Sequence, residues 1–182
     1  MNMKRALWSL LGIIQTVAIA VVAVFLVRTF IAQPFLVSGA SMEPTFENGD
    51  YLLVDELAYR FRDPVRGEVI VFRYPGDHRS FYIKRIIGLP GERVAIKNGQ
   101  VEVFQRGEEK VLSEPYLAPL ARTGDFEVTL GDGEFFMMGD NRNFSFDSRS
   151  WGPLVRTDVM GLVRFRLWPL ATVQAFAAPA YP

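Results

Sequence analysis

The chain has 182 residues, with 20 basic against 20 acidic and 49% apolar, which suits one compact domain plus an accessory segment and gives no charge excess to recruit nucleic acid. It has no cysteine, which excludes disulfides, thiolate metal sites and a cysteine nucleophile together. The single histidine, His78, excludes multi-histidine metal sites and leaves any Ser-His-Asp triad only one possible base. No cofactor or metal is expected.

Residues 6–27 form a run of 22 without a charge. As a helix the run is about 33 Å long at 1.5 Å per residue, enough for a hydrocarbon core of roughly 30 Å. Lys4 and Arg5 precede it, so the positive-inside tendency puts Met1 in the cytoplasm and Phe35 onward outside. Arg28 opposes that assignment weakly and can snorkel at the far interface. A cleavable signal peptide has an apolar region of about 7–15 residues and a small-x-small end. Here the run is longer, and Phe30-Ile31-Ala32 puts a bulky residue where a small one is required. The expected layout is a cytoplasmic N-terminus (1–5), a single transmembrane signal anchor (6–30), an extracytoplasmic β-rich domain (31–170) and a C-terminal tail (171–182). The lipid bilayer is thus one expected partner.

Just past the anchor, Phe35 to Asp50 breaks an apolar, strand-like run with Ser38-Gly39-Ala40-Ser41-Met42-Glu43-Pro44-Thr45. Small residues admit another backbone closely, and Pro44 cannot donate to a sheet ladder. A hydroxyl at such a break, Ser41 or Ser38, can be presented to a ligand; a plain turn fits the same residues. Strand follows strand from there, with no stretch of helical periodicity. Tyr51 to Val54 is a short apolar run. Glu68 to Tyr74 alternates, Pro75-Gly76-Asp77 turns, and Phe81 to Ile87 is a strand ended by Gly88-Leu89-Pro90-Gly91. Val94 to Phe104 is a hairpin around Asn98-Gly99. The polar residues 106–114, with Pro115 and Pro119 beyond, mark a surface excursion over about 105–125. Phe126 to Leu130 and Glu134 to Met138 are expected to pair across Gly131-Asp132-Gly133, and Val159 to Leu167 supplies a last strand. The fold class is mainly β, a coiled antiparallel sheet domain without βαβ alternation and so without a doubly wound nucleotide fold.

Lys84 lies mid-strand in Phe81-Tyr82-Ile83-Lys84-Arg85-Ile86-Ile87, among apolar neighbours on both faces. Period-2 alternation puts it on one face with Tyr82 and Ile86, and Arg85 on the other. Desolvation lowers a lysine pKa from about 10.4 by as much as several units, and a neutral lysine is a base able to take a serine proton. The alternative is an edge strand bearing two snorkelling cations. Another candidate stretch is Gly139-Asp140-Asn141-Arg142-Asn143-Phe144-Ser145-Phe146-Asp147-Ser148-Arg149, where Asp and Asn favour Asx turns and Arg–Asp pairs can lace a loop. A calcium loop needs oxygen ligands at alternate positions, and Arg142 and Phe144 fall there, so metal binding is set aside. His78, among turn formers and charges, is expected to be a solvated loop residue.

Ser-Met-x-Pro-Thr just after an anchor, then Tyr-Ile-Lys-Arg-x-x-Gly-Leu-Pro-Gly, then Gly-Asp-Asn-Arg with Ser-x-Asp-Ser-Arg resemble the bacterial type I signal peptidases. The resemblance runs in order from the anchor to about Trp168. It implies a signal-peptidase fold, shared with self-cleaving repressors, with Ser41 as nucleophile and Lys84 as general base. It implies further that Ser145 orients the lysine amine, that Asp140, Asn141, Arg142, Asp147, Ser148 and Arg149 buttress the site, and that the Ser41 N–H is an oxyanion donor. Some members carry a serine hydroxyl two residues before the nucleophile as another oxyanion donor. Here that position is Gly39, with Ser38 one residue further, and a backbone N–H near Gly39 is expected to serve instead.

The activity implied is endoproteolytic removal of signal peptides from exported preproteins after small-x-small, Ala-x-Ala-like sites, on the outer face of the cytoplasmic membrane. The substrate is expected to bind extended, as an added strand. Phe35, Leu36, Trp168 and Phe176 suit a membrane-apposed surface, whereas ordinary core packing is expected of Phe165. Ala175-Phe176-Ala177-Ala178 carries substrate-like spacing, so a visit of the tail to an active site is a further expectation. Two readings from other classes stand beside these: a self-cleaving-repressor-like Ser/Lys protease, and a membrane-tethered β module that binds partners without catalysis.

Overall fold

The structure, a computed structural model, describes residues 3–30, 32–119, 121, 123–179 and 181. A helix, α1 (Met3–Phe30), leads into strands β1 (Ala32–Leu36) and β2 (Tyr51–Asp55), the one-turn helix α2 (Ala58–Phe61), β3 (Val69–Tyr74) and β4 (Asp77–Gly88). Then come β5 (Arg93–Lys97), β6 (Gln100–Gln105), β7 (Glu108–Val111), β8 (Phe126–Thr129) and β9 (Glu134–Met138). The short helix α3 (Ser148–Trp151), β10 (Leu154–Val155), β11 (Val159–Trp168) and β12 (Gln174–Ala175) complete the order. Among the described residues no helix is long and apolar enough to cross a membrane. Ala6, Leu7, Leu10, Ala23 and residues 25–30 of the expected span have side chains outside the description.

Two antiparallel sheets carry the rest. The larger runs β1-β2-β11-β3-β4-β9-β10, with β12 on β11, and the smaller runs β7-β6-β5-β8. The mainly β expectation holds, and the Asn98-Gly99 hairpin is present, both residues taking the positive φ (51° and 79°) that a two-residue turn of this kind requires. Two expectations are corrected. β8 and β9 do not pair: β8 joins β5 in the small sheet, and β9 joins β4 and β10 in the large one. The cause is burial. β8 alternates half-buried and exposed residues, while Phe135 to Met138 is buried throughout, so the two strands need different neighbours. The expected surface excursion also contains β7, which pairs with β6.

Three apolar clusters fill the body. One lies between the sheets around Ile87, Val94, Ile96 and Phe136. A second gathers Met42, Phe46, Leu52 and Val71, and a third gathers Ile70, Phe72, Ile86 and Met137. β4 contributes to all three, with Ile83, Ile86 and Ile87 each in a different cluster. Its position and rotation are therefore tightly determined, and side chains along it make a rigid platform.

Candidate active site

The loop after β1 carries Ser41. Met42 and Phe46 are fully buried and anchor it, and the Phe46 N–H closes a turn on the Met42 carbonyl at 2.9 Å. Gly39 takes a φ of 100°, a conformation disfavoured for residues with a Cβ. With Met42 and Phe46 turned inward, the Ser41 hydroxyl faces a groove of about 580 Å³ whose walls include Leu36, Phe81, Ile83 and Phe146.

β4 brings Lys84 to that hydroxyl. Its amine donates to Ser41 Oγ at 2.8 Å and to the Ile83 carbonyl at 2.8 Å, with the side chain 4% exposed. The alternative of two snorkelling cations is thereby removed: both Lys84 and Arg85 are buried, although β4 gains β9 as a neighbour only from Arg85 onward. Burial pushes the Lys84 amine down from 10.5 to about 8, while the Asp147 and Asp140 carboxylates pull the other way and only partly offset it. A substantial neutral fraction at neutral pH follows, and a neutral amine at this distance can accept the serine proton.

A frame of ion pairs holds the two groups in register. Arg85, beside Lys84, donates to Asp140 at 2.9 and 2.6 Å and to the Gly67 carbonyl at 2.8 Å. Asp140 also accepts from the Thr45 hydroxyl at 2.5 Å, which ties the lysine strand to the serine loop. Asn141 grips the same loop twice, its N–H on the Ser41 carbonyl (3.1 Å) and its amide nitrogen on the Ala40 carbonyl (3.0 Å). Arg142 forms a two-pronged pair with Glu114 and reaches the Gly139 carbonyl at 3.2 Å. Asp147 caps α3, accepts from the Gly139 N–H (3.0 Å) and pairs with Arg149 (2.7 Å). Burial works to raise its carboxyl, but Arg149 and the Gly139 N–H outweigh it and hold Asp147 below the ordinary carboxylate value. Ser148 Oγ accepts from the Met137 N–H at 2.9 Å.

Other expected site residues sit differently. The Lys84 amine bonds Ser41 and Ile83, not Ser145, whose buried hydroxyl helps to stabilise the Asp147 carboxylate. Ser145 Oγ lies instead against Gly139, where a Cβ would collide with it and with the Ser41 carbonyl. The Gly39 N–H is already donated to Asn48 Oδ1 at 2.9 Å and does not face the groove as a free donor. The Ser41 N–H has no partner among the described residues, and Ser38 is exposed at the groove wall. His78 is exposed at the start of β4, 3.2 Å from Asp158, and is no part of the groove lining. Phe165, expected in the core, is 43% exposed, and Phe176, expected at a membrane surface, packs on Phe46 with ring centroids 4.5 Å apart. Glu114, Tyr116 and Thr45 also belong to this frame, and no local sequence pattern marks them. Glu114 is needed because Arg142 is buried and its cation would otherwise be uncompensated, and that burial is visible only in the fold.

A hydroxyl bonded to a desolvated lysine amine, in a groove without histidine, defines the serine/lysine class of hydrolytic site. The family model for "Signal peptidase, peptidase S26" matches residues 10–168, and the chain belongs to that family. It is 39% identical over 173 residues to a probable signal peptidase I-2 of Synechocystis, covering 91% of this chain and 76% of that one. It is 36% identical over 175 residues to signal peptidase I V of Bacillus subtilis, covering 88% and 98%. A solved signal peptidase I from Enterococcus faecalis is similar at 30% identity with a TM-score of 0.47, over 56% of this chain and 97% of that one.

Proposed function

We propose that the protein is a membrane-anchored serine endopeptidase that removes signal peptides from exported preproteins. The observation that carries the reading is the 2.8 Å contact between the Ser41 hydroxyl and the buried Lys84 amine. Neutral Lys84 takes the Ser41 proton, Ser41 Oγ attacks the scissile carbonyl, and the Ser41 N–H steadies the oxyanion. Lys84 returns the proton to the leaving amine, then activates the water that releases the acyl group. The Gly39 N–H joins the oxyanion donors only if Asn48 lets it go.

Groove geometry supports an extended substrate. β9 pairs with β4 only from Arg85 onward, so the β4 edge at Phe81 to Lys84 carries no strand on that side. β1 ends the sheet order and has its own open edge. An extended peptide entering the groove meets both, and main-chain bonds hold it while the walls read alternate side chains. An Ala-x-Ala-like preference is the reading carried over from the family resemblance.

A bilayer location is supported by α1. Residues 6–27 carry no charge, and the described side chains from Trp8 to Val24 are exposed, with apolar residues all round rather than along one stripe. The proposed arrangement is a single pass, N-terminus inside, with the β domain on the outer face. Leu36 and Trp168, both exposed, stand at the surface proposed to face lipid.

The test is cleavage of a preprotein by the full chain in detergent micelles, with Ser41→Ala, Lys84→Ala and His78→Ala side by side. Loss, loss and near-normal activity are expected. Cleavage abolished by His78→Ala and spared by Lys84→Ala would overturn the lysine assignment.

A further inference from the structure

We propose that the C-terminal segment, residues 174–179 with Tyr181, is a strap that holds the serine loop and the lysine strand in register from outside the groove. The inference rests on the Ser41–Lys84 reading above. The segment lies beyond residue 168, where the family match ends.

The strap is fastened at several points. β12 pairs with β11 at Phe165↔Ala175 and Arg166↔Gln174, and the Phe176 N–H donates to the Arg164 carbonyl at 2.8 Å. Pro179 and Tyr181 close over Gly67, where an added Cβ would meet them at 2.7 and 2.8 Å. The Lys110 amine donates to the Tyr181 carbonyl at 2.8 Å.

It reaches the serine loop through Phe46 and the lysine strand through Tyr116 and Arg85. Phe176 packs on Phe46, the fully buried anchor of the Ser41 loop, and the Arg166 guanidinium lies over both rings. Tyr181 meets Tyr116 oxygen to oxygen at 3.2 Å. Tyr116 in turn bonds Glu114 at 2.6 Å and lays its ring 3.9 Å from the Arg85 guanidinium. Arg85 neighbours Lys84 and pairs with Asp140, which holds Thr45 of the serine loop. A cavity of about 190 Å³ remains under Phe176 and Ala177, floored by Val69 and Arg85. Removing the strap opens that floor to water and hydrates the pair that spans the two halves. In this arrangement the tail lies on the Arg85 face of β4, with Ala175 paired in β12 and Phe176 packed on Phe46.

Because the groove is walled by other residues, loosening the strap alters the alignment of reacting atoms more than it alters substrate binding. Misplacement by about 1 Å costs on the order of a hundredfold in rate. The experiment compares the full chain with Phe176→Ala, Phe176→Leu, Tyr181→Phe and a deletion of 174–182, all assayed well below their unfolding temperatures. The expected result for Phe176→Ala is a kcat lower by about tenfold to a hundredfold with KM within about twofold, and recovery of most of the rate in Phe176→Leu. Hydrogen exchange across residues 40–46 and 139–142 is expected to quicken in Phe176→Ala and in the deletion. A lowered unfolding temperature with unchanged kcat and unchanged exchange in those segments overturns the strap. Should wild-type cleavage persist in Ser41→Ala, the active-site reading fails, and the exchange data still decide whether the strap holds the loop.

Discussion

The pH dependence of cleavage follows from the burial of Lys84. With its pKa pushed down to about 8, roughly a tenth of the amine is neutral at pH 7; at 10.5 the neutral share would be about 0.03%, some three hundredfold less. The base is the deprotonated form, so activity must rise with pH. Between pH 7 and 9, kcat/KM is expected to climb about tenfold and then level off, reporting one ionisation of the free enzyme near 8. An unperturbed lysine would give about a hundredfold climb over that interval with no plateau. The assay is initial rates on a fluorogenic peptide with a small-x-small site, from pH 6 to 10, repeated with His78→Ala. A midpoint near the ordinary histidine value that vanishes in His78→Ala, or a climb without plateau to pH 10, would refute the reasoning.

The same burial makes a stability prediction. Between pH 8 and 10.5 the unfolded chain keeps the Lys84 proton that the folded chain has released, so the unfolded state binds more protons and stability rises with pH. The difference between 10.5 and about 8 corresponds to about 3 kcal/mol. Lys84→Met is therefore expected to raise the urea midpoint at pH 7 while abolishing cleavage; a lowered midpoint counts against a desolvated amine. Asp140→Asn leaves the buried Arg85 cation without its carboxylate and is expected to cost about 3–5 kcal/mol in urea unfolding. In Gly139→Ala the new methyl group must displace Ser145 or the Ser41 carbonyl, and kcat is expected to fall by about a hundredfold, read against Gly91→Ala as a strained-glycine control outside the groove.

Strand positions were legible where a turn chemistry or an apolar alternation was local. Asn98-Gly99 announces its hairpin because its backbone conformation suits those residues, and Pro75-Gly76 announces the turn between β3 and β4. Ser41 and Lys84 were legible as candidates because one interrupts a strand-like run and the other interrupts an apolar one. Their meeting was not legible from spacing, since 43 residues and a change of strand separate them. Partner choice between strands failed for β8 and β9 because Gly131-Asp132-Gly133 looks like a hairpin turn. The discriminating signal was in the flanks, where Phe126-Glu127-Val128-Thr129 alternates and Phe135-Phe136-Met137-Met138 does not. The excursion around Glu114 and Tyr116 read as surface because it is polar. Its polar atoms are instead spent on Arg142 and against the Tyr181 hydroxyl, which no single-sequence pattern reveals.

The amine of Lys84 rests on a hydroxyl and a carbonyl, neutral oxygens both, with no carboxylate in direct contact. Of the four lysines in the chain, Lys97 is salt-bridged to Glu102 and Lys110 is tied to the Tyr181 carbonyl. Lys84, with its proton affinity lowered by burial, stands instead in the wall of an open groove. The proton that Lys84 takes from Ser41 is therefore held among neutral oxygens alone, with no carboxylate in contact to trap it before it passes to the leaving amine.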